Sequence, residues 1–329
     1  MNINKYISTI IRNWRDPMWW EYVLNLKLLV PILFRNNDGI YIFNEQWDNL
    51  IILDACRYDI FKEEFKNRKT KGKLEYRISR GTDTPSFLME NFNSKEKYND
   101  IIYLSTNPYV EKLLKGKFYK IVSVWKECLD KRYTGVPPKI LYEYAVYYMK
   151  KYSNKKLIIH FTQPHSPYPN GTGETYAKEF TSAFLKEKIF KLRYKLDNNY
   201  YVETWPYIGL KTLKVDKLKE GYRENLKLDI PYIKKLINIL PGRTIVTADH
   251  GEAFGERLHP LLPIKVYGHP PNVRIPALVK VPWLIVEEDE KTPPDDFEKE
   301  FFEIKKKFEK NEDKIIKNAI KNLKLKGKL

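Results

Sequence analysis

Three short apolar segments of the chain each run directly into a cluster of polar residues, and this arrangement limits the folds open to it. The segments are Leu50–Leu53 before Asp54, Lys156–Phe161 before Thr162, and Arg243–Ala248 before Asp249 and His250. Short apolar runs rich in β-branched residues are typical of strands buried on both faces of a sheet. Because the carboxyl ends of parallel strands meet at one edge of a sheet, we expect the three polar clusters to converge.

Helical patterns separate these strands along the chain. Helices are predicted over Tyr58–Arg68, Pro138–Tyr152 and Lys217–Leu240, and two further strands over Ile101–Leu104 and Ala277–Val281. Strands that alternate with helices favour a parallel sheet covered by helices on both faces. The predicted fold class is therefore α/β, a three-layer α/β/α sandwich with a mostly parallel central sheet.

The 329 residues suffice for one large domain or two small ones. We divide the chain into a helical N-terminal segment over 1–46, a catalytic domain over 47–285 and a charged C-terminal helical tail over 286–329. Residues 170–215 are polar and aromatic, and we expect them to form an insertion in the central domain. Packing of the tail on the domain is the favoured interpretation, and a basic amphipathic helix at a membrane or partner surface is the alternative.

The balance of charges indicates an anionic partner. Lys and Arg number 59 against 42 Asp and Glu, which gives a formal net charge of +17. Such an excess is typical of proteins that bind nucleic acid, an anionic membrane surface, or a phosphorylated or sulfated substrate. The basic residues are spread along the chain and form no recognisable nucleic-acid module, so specific nucleic-acid binding is not favoured. Only Cys56 and Cys128 are present, which excludes a zinc ribbon and a disulfide scaffold.

The segment Met18–Phe34 is the strongest membrane candidate in the sequence. It is interrupted by Glu21, Lys27 and Pro31, and it falls short of the roughly 20 apolar residues that a spanning helix needs. Packing in the core is the favoured interpretation, and a helix lying in the membrane interface is the alternative, since the segment has tryptophans and basic flanks. No secretion signal is visible after Met1, so we expect a cytoplasmic protein, with peripheral attachment to the membrane as the alternative.

The histidines lie beside the strand ends or shortly after the last of them. They are His160, His165, His250, His259 and His269. The adjacent Asp249 and His250 offer an oxygen and a nitrogen ligand to one divalent cation. Asp54 also ends an apolar strand, where an unpaired carboxylate would be costly to bury. A metal ion is the favoured partner of these side chains, and a buried Asp–His hydrogen bond and an N-cap role for Asp54 are the alternatives.

A segment rich in hydroxyl groups, Ser79–Ser86, offers a nucleophile. A hydroxyl reacts poorly unless it is ionised, and a metal lowers the pKa of bound water from about 15.7 to about 7. The Gly-Thr-Asp-Thr-Pro part of this segment is also ordinary loop and N-cap chemistry. Two further loops carry His165 and His269, and we expect both imidazoles to reach the same site, because histidine is the commonest metal ligand.

Taken in chain order, these segments resemble the alkaline phosphatase/sulfatase superfamily over roughly residues 47–283. The matching segments are IILDACRYD, SRGTDTPSFL, the loop from His160 to Tyr168, TADHGEAFGE and YGHPPNVRIPALVKVP. Within the superfamily the chain is similar to the sulfatase-like branch with a threonine nucleophile, the phosphoethanolamine and phosphoglycerol transferases. The resemblance implies four metal ligands, which are Asp54, Thr84, Asp249 and His250. It also implies that Thr84, rather than Thr82, is the nucleophile.

The same resemblance implies roles for residues around the metal. His165 and His269 would bind the transferred group or a second metal, and we take Arg57, Thr82 and His259 as further candidates for substrate binding. One divalent metal is expected, Mn or Zn before Mg or Ca. A second metal, as in the two-metal phosphodiesterases, is the alternative, although no extra Asp stands in a matching context.

The predicted function is a metal-dependent phosphoester hydrolase or phosphotransferase that works through a metal-bound Thr84 and a covalent phospho-threonine intermediate. The expected substrate is an anionic phosphoester, and interfacial features at both ends favour a lipid- or glycan-linked phosphodiester. A sulfatase-like sulfoester hydrolase and an inactive, anion-binding family member are the alternatives. Sulfatases need a Cys or Ser that is converted to formylglycine. Thr84 cannot form that aldehyde, and no Arg follows Ser86, which counts against the sulfatase.

Overall fold

The computed structural model of the chain describes residues 15, 24–66, 71–92, 95–126, 136–165, 193–196, 199–202, 207–209 and 216–310. The expectations for residues 1–14, 16–23 and 311–329 lie outside the described residues. The same is true of most of the insertion over 170–215, of which only three short strands are described.

A seven-stranded mixed sheet forms the centre of the fold. Its strands are β1 Asn49–Asp54, β2 Lys73–Ile78, β3 Tyr98–Ser105, β4 Phe118–Ser123, β5 Lys156–Pro164, β9 Thr244–Ala248 and β12 Lys280–Val286. Their order is β2-β12-β9-β1-β5-β3-β4, and the five strands from β9 to β4 pair in parallel, whereas β12 is antiparallel to both its neighbours. Two small sheets contain β10 Ala253–Arg257, β11 Lys265–Gly268 and β8 Tyr207–Gly209, and β6 Arg193–Leu196 and β7 Asn199–Val202.

Helices cover both faces of the central sheet. They are α1 Val30–Leu33, which continues a π-helical turn over Asn25–Leu29, α2 Tyr58–Lys66, α3 Thr84–Phe92, α4 Pro108–Leu114, α5 Pro138–Lys151, α6 Asp216–Ile239 and α7 Pro276–Val279. A further helical segment covers residues 297–310. The helices α4, α5 and α7 each have proline in the first turn, where its fixed φ suits a helix and its missing N–H is not needed.

The sheet separates two apolar cores, because side chains alternate between the faces of a strand. Ile51 and Leu53 of β1 belong to the core shared with α2, α5 and α6. Leu50 and Ile52 belong to the core shared with α3 and α4. All six residues of β1 are buried, as expected of a strand in the middle of a parallel sheet. The predicted three-layer α/β/α architecture is therefore confirmed.

The structure departs from the sequence prediction at the last strand and at the edges of the sheet. The strand predicted at Ala277–Val281 begins at Lys280, because Pro276 starts the short helix α7 just before it. Sequence analysis does not predict the edge strands β2 and β4. Both expose charged residues on the side that faces solvent, such as Lys73 in β2, and this interrupts the apolar pattern of a strand.

Both ends of the described chain pack on the domain. Val30 is fully buried in an apolar cluster with residues of β10, β11 and α7, so one side of the described part of Met18–Phe34 packs on the domain. Phe297 and Ile304 of the segment 297–310 join the core beside α5. Among the helices that the structure describes, none is long and apolar enough to cross a membrane.

A buried carboxylate on α6 makes the stability of the fold sensitive to pH. Asp229 is fully buried, and neither of its carboxylate oxygens has a hydrogen-bond partner among the described residues. Burial raises the pKa of Asp229 well above its ordinary value of 3.8. The folded state therefore binds more protons than the unfolded state. As a result, the free energy of unfolding falls as pH rises from about 4 toward the raised pKa.

The substitution Asp229→Asn should remove this loss of stability. We expect the variant to melt at a higher temperature than the wild type at about pH 8, with a flatter dependence of Tm on pH between about 5 and 8, measured by thermal denaturation. Glu220→Gln removes an exposed carboxylate from the same helix and should leave the slope unchanged. If Asp229→Asn keeps the wild-type slope, another group causes it.

Candidate metal centre

Two carboxylates and an imidazole meet at the carboxyl edge of the sheet. Asp54 ends β1, and Asp249 and His250 follow β9, its parallel neighbour. The Nε2 atom of His250 lies 3.5 Å from Oδ1 of Asp54 and 3.5 Å from Oδ2 of Asp249. All three side chains are buried, and one ligand atom from each lies within 4.8 Å of the others. The strand ends therefore bring together three of the residues that sequence analysis singles out.

Backbone contacts hold this turn of the chain in place. The N–H groups of Ala55 and His250 donate to Oδ1 of Asp249 over 3.0 and 2.8 Å. Ala55 has a φ of 60°, an uncommon conformation for a residue with a side chain. A Cβ atom at Gly251 would collide with the carbonyl oxygen of Ala277. A glycine is therefore required after His250, because two backbone segments approach closely there.

The hydroxyl group of Thr84 joins the cluster. Thr84 begins α3, and its Oγ1 atom donates to Oδ2 of Asp249 over 2.8 Å and lies 3.5 Å from Oδ1 of Asp54. The hydroxyl oxygen of Thr82 instead accepts a hydrogen bond of 2.8 Å from the backbone N–H of Asn272. The structure therefore places the hydroxyl of Thr84, and not that of Thr82, against the carboxylates.

The electrostatics of the cluster fit a bound cation. Burial and the neighbouring charge of Asp249 raise the pKa of Asp54 well above its ordinary value. Burial lowers the pKa of His250 to about 3, so its imidazole is neutral, and its buried Nε2 atom has no hydrogen-bond partner in the described part of the chain. Carboxylate oxygens and a neutral imidazole nitrogen are ligands for divalent zinc and manganese. The residues present therefore fit such a cation.

Two further imidazoles border the cluster. The ring centroid of His269 lies 4.7 Å from that of His250 and 4.9 Å from that of His165. The backbone N–H of His165 donates to the carbonyl oxygen of Asp54 over 3.1 Å, which joins the loop after β5 to the end of β1. Burial opposes charge on His269, but the carboxylate of Glu252, 3.0 Å from Nδ1, raises the pKa of His269 to about 9. His269 is therefore protonated at neutral pH.

Two of the residues predicted to bind substrate have other contacts. The guanidinium group of Arg57 donates to the carboxylates of Asp59, over 2.7 and 2.9 Å, and of Glu256, over 2.5 Å. In the structure these ion pairs join Arg57 to α2 and β10. His259 lies in the turn between β10 and β11, where its Nδ1 atom accepts from the backbone N–H of Leu261 over 3.3 Å. Neither residue contacts Asp54, Asp249 or His250 through these bonds.

Two polar residues that contact the cluster are given no site role by sequence analysis, which names His160 only among the histidines near the strand ends. Asn107 follows β3 and donates from Nδ2 to Oδ2 of Asp54 over 2.7 Å. His160 is fully buried in β5, with Nδ1 3.0 Å from the hydroxyl of Tyr103 and Nε2 3.8 Å from Oδ2 of Asp249. The position of Asn107 just after a strand is the signal that could have indicated it, because the metal-binding candidates share that position.

Asn107 positions the carboxylate of Asp54, and its amide also lies 3.3 Å from Oγ1 of Thr84. We expect Asn107→Ala to lower kcat/KM or metal affinity by about 10- to 100-fold, as measured by steady-state kinetics and metal titration. Its Oδ1 atom also caps α4 by accepting from the N–H of Tyr109. Asn107→Ser keeps a capping oxygen but does not reach Asp54, so it controls for loss of the cap. Wild-type kinetics in Asn107→Ser would contradict the positioning role.

Comparison with known proteins gives structural matches only. No model of a protein family matches the sequence, and no curated protein matches it. The integral membrane protein lipooligosaccharide phosphoethanolamine transferase A from Neisseria meningitidis is 14% identical, with a TM-score of 0.43 over 86% of this chain and 58% of that one. The C-terminal periplasmic domain of phosphoethanolamine transferase EptC from Campylobacter jejuni is 16% identical, with a TM-score of 0.41 over 74% and 79%. A protein in the alkaline phosphatase superfamily from Vibrio parahaemolyticus is 14% identical, with a TM-score of 0.40 over 74% and 60%.

These matches confirm the predicted resemblance as one of fold alone. The chain spans about 58% of the length of the Neisseria meningitidis protein, and the identities assign no role to any residue, so the roles below are argued from geometry. The expectation of a cytoplasmic protein is contradicted by the same comparison. Two of the three similar structures are an integral membrane protein and a periplasmic domain.

Proposed function

We propose that the chain is a metal-dependent phosphotransferase or phosphoester hydrolase whose nucleophile is Thr84, with residues 47–285 as its catalytic domain. The observation that carries the proposal is the hydrogen bond of 2.8 Å from Oγ1 of Thr84 to Asp249, within a buried cluster that includes Asp54 and His250. Burial and the charge of Asp249 raise the pKa of Asp54, so two charged carboxylates in this cluster would weaken the fold without a cation. Binding of a metal and chemistry at the hydroxyl account for the arrangement.

In the proposed reaction the residues of the cluster have separate roles in metal binding, nucleophilic attack and proton transfer. Asp54, Asp249 and His250 would hold a divalent cation, which would supply Lewis-acid chemistry to the reaction. In the first half-reaction the oxygen of Thr84 forms a bond to phosphorus, and its proton passes to the carboxylate of Asp249, which accepts its hydrogen bond. The bond from phosphorus to the leaving oxygen breaks, and that oxygen takes a proton from His269. In the second, water or an acceptor hydroxyl forms a bond to the same phosphorus and gives its proton to His269. The bond from phosphorus to Thr84 breaks, and Thr84 regains its proton from Asp249.

We assign binding of the transferred phosphoryl group to the imidazoles of His165 and His269. His269 is held protonated by Glu252, so it can donate a hydrogen bond to a phosphoryl oxygen or a proton to the leaving oxygen. Positive charge at this place stabilises negative charge that develops on the phosphoryl group. The ring of His165, next to that of His269, is the second candidate for this contact.

We propose an anionic phosphoester as the substrate, of the lipid- or glycan-linked phosphodiester class. The net charge of +17 supports an anionic ligand. Manganese or zinc is the proposed metal, because the cluster combines one imidazole nitrogen with carboxylate oxygens. We infer one metal, since the described residues hold one group of three His, Cys, Asp or Glu side chains with suitable separations.

Reaction with bis(p-nitrophenyl) phosphate in the presence of manganese or zinc tests the proposal. We expect metal-dependent release of p-nitrophenolate and, after acid quench, a phosphoryl adduct on the tryptic peptide from Gly81 to Lys95. Fragmentation should assign the adduct to Thr84, not Thr82. p-Nitrophenyl sulfate is the control and should not be hydrolysed. A metal-loaded protein that releases nothing from the phosphodiester would favour the inactive, anion-binding alternative.

A further inference from the structure

An apolar stripe faces solvent on the helical segment 24–33, which comprises the π-helical turn and α1. It consists of Leu24, Leu28 and Ile32, which are 53%, 58% and 53% exposed. A spacing of four residues places the three side chains on one side of the helix. Single exposed leucines are ordinary on protein surfaces. Three in one row on one short element form a continuous patch, which is typical of an interaction surface.

The opposite side of the same helix is fixed to the domain. Val30 is fully buried in the apolar cluster with β10, β11 and α7, and Leu29 and Leu33 pack against that cluster. The inner side of the helix therefore has partners, while the outer side is open to solvent. The stripe is thus a fixed surface of the domain.

A second apolar side chain projects from the same part of the molecule. Leu261, in the turn between β10 and β11, is 85% exposed. Its neighbours Leu258 and Leu262 pack in or against the cluster that holds Val30. Removing apolar side chains from water is favourable in proportion to the area removed, so transfer of Leu261 and the stripe into an apolar phase would be favourable.

The charges around the stripe indicate what that phase is. Lys27 and Arg35 are exposed on and just after the helix, and no Asp or Glu occurs between Glu21 and Asp38. Exposed cations beside an apolar stripe are typical of helices that lie in the interface of an anionic membrane. Lys and Arg side chains near such a surface are attracted to its negative charge.

We propose that the apolar stripe and Leu261 form a docking surface for an anionic bilayer. The cluster beneath them includes residues of β10, which begins directly after Glu252, and of β11, which ends directly before His269. The strands β10 and β11 thus connect the docking surface to Glu252 and His269. The substrate is then a phosphoester carried by a lipid, a step that rests on the proposed function, whereas the docking does not.

Sedimentation of the full chain with vesicles tests the docking. We expect the wild type to bind vesicles of phosphatidylcholine with phosphatidylglycerol, and to bind vesicles of phosphatidylcholine alone more weakly. Combined Leu24→Ser, Leu28→Ser and Ile32→Ser should lower the partition coefficient at least about tenfold, and Lys27→Glu should weaken binding to the anionic vesicles alone. The matched control is Phe302→Ser, because Phe302 is a large apolar side chain that is 62% exposed elsewhere. It should bind like the wild type.

Measurement of turnover distinguishes a failure of the proposed docking from a failure of the proposed chemistry. The triple variant should hydrolyse soluble bis(p-nitrophenyl) phosphate at the wild-type rate, which shows that it is folded, and a vesicle-borne phosphodiester more slowly. Thr84→Ala should bind vesicles like the wild type, so a failure of the proposed chemistry leaves the binding result intact. Wild-type binding by the triple variant, or no binding by the wild type, would overturn the proposal. Self-association of the wild type that the triple substitution abolishes, without vesicle binding, would overturn it in favour of a second copy.

Discussion

Replacement of Thr84 by alanine is expected to abolish turnover while the divalent metal stays bound. The hydroxyl of Thr84 is the group that lies against both carboxylates, 2.8 Å from Asp249 and 3.5 Å from Asp54. Removal of the nucleophile in an enzyme with a covalent intermediate typically lowers kcat by about 10⁴-fold or more. The three other ligands, Asp54, Asp249 and His250, remain in Thr84→Ala. Metal content measured by elemental mass spectrometry should therefore stay close to that of the wild type.

Two matched variants sharpen this experiment. Thr84→Ser keeps a hydroxyl at the same position and should retain measurable turnover. Thr82→Val keeps the shape of a threonine that lies two residues away, but it removes the acceptor for the N–H of Asn272. It should therefore lower stability by about 1–3 kcal/mol while turnover persists. Full turnover in Thr84→Ala would show that Thr84 is not the nucleophile, and loss of turnover in Thr82→Val with an intact fold would point to the wrong threonine.

The central strands could be predicted because burial on both faces of the sheet leaves a continuous apolar run in the local sequence. The runs around Leu50–Leu53, Lys156–Phe161 and Arg243–Ala248 are buried on both faces of a parallel sheet, so apolar residues continue along each strand instead of alternating. The carboxyl ends of such strands share one edge of the sheet. The meeting of Asp54 with Asp249 therefore follows from two segments that are far apart in sequence.

The surroundings of the cluster depend on contacts that no local pattern reveals. Arg57 is a candidate for substrate binding in the sequence, and in the structure it forms ion pairs with Asp59 and Glu256. The pairing with Glu256 requires the strand β10 to lie beside the start of α2, and this depends on the tertiary fold. Asn107 reaches Asp54 because β3 lies two strands from β1 in the sheet. The order of strands in the sheet, and with it the contact of Asn107, cannot be predicted from the segment around Asp54 or from the segment around Asn107.

Replacement of Asp249 by asparagine is expected to remove the metal from a folded protein. Asparagine keeps an oxygen that can accept from the N–H groups of Ala55 and His250, which Oδ1 of Asp249 binds over 3.0 and 2.8 Å. It removes the negative charge that attracts the cation. After dialysis, we expect about one equivalent of metal in the wild type and none in Asp249→Asn, by elemental mass spectrometry. Two equivalents in the wild type would instead favour the two-metal alternative.

Thermal denaturation with and without metal distinguishes loss of a ligand from loss of the fold. A metal present at about 1,000 times its Kd stabilises a folded protein by about 4 kcal/mol, so it should raise the Tm of the wild type and leave that of Asp249→Asn unchanged. The charge of Asp249 helps to raise the pKa of Asp54. Without metal, the variant should therefore be at least as stable as the wild type, because two close buried carboxylates are reduced to one.

Asp229→Asn, at a buried carboxylate of α6 outside the cluster, is the control and should keep the metal-dependent rise in Tm. A metal-dependent rise that persists in Asp249→Asn, or one that is missing from the wild type after reconstitution, would show that the cation is not held by this carboxylate and would leave anion binding as the better explanation of the site.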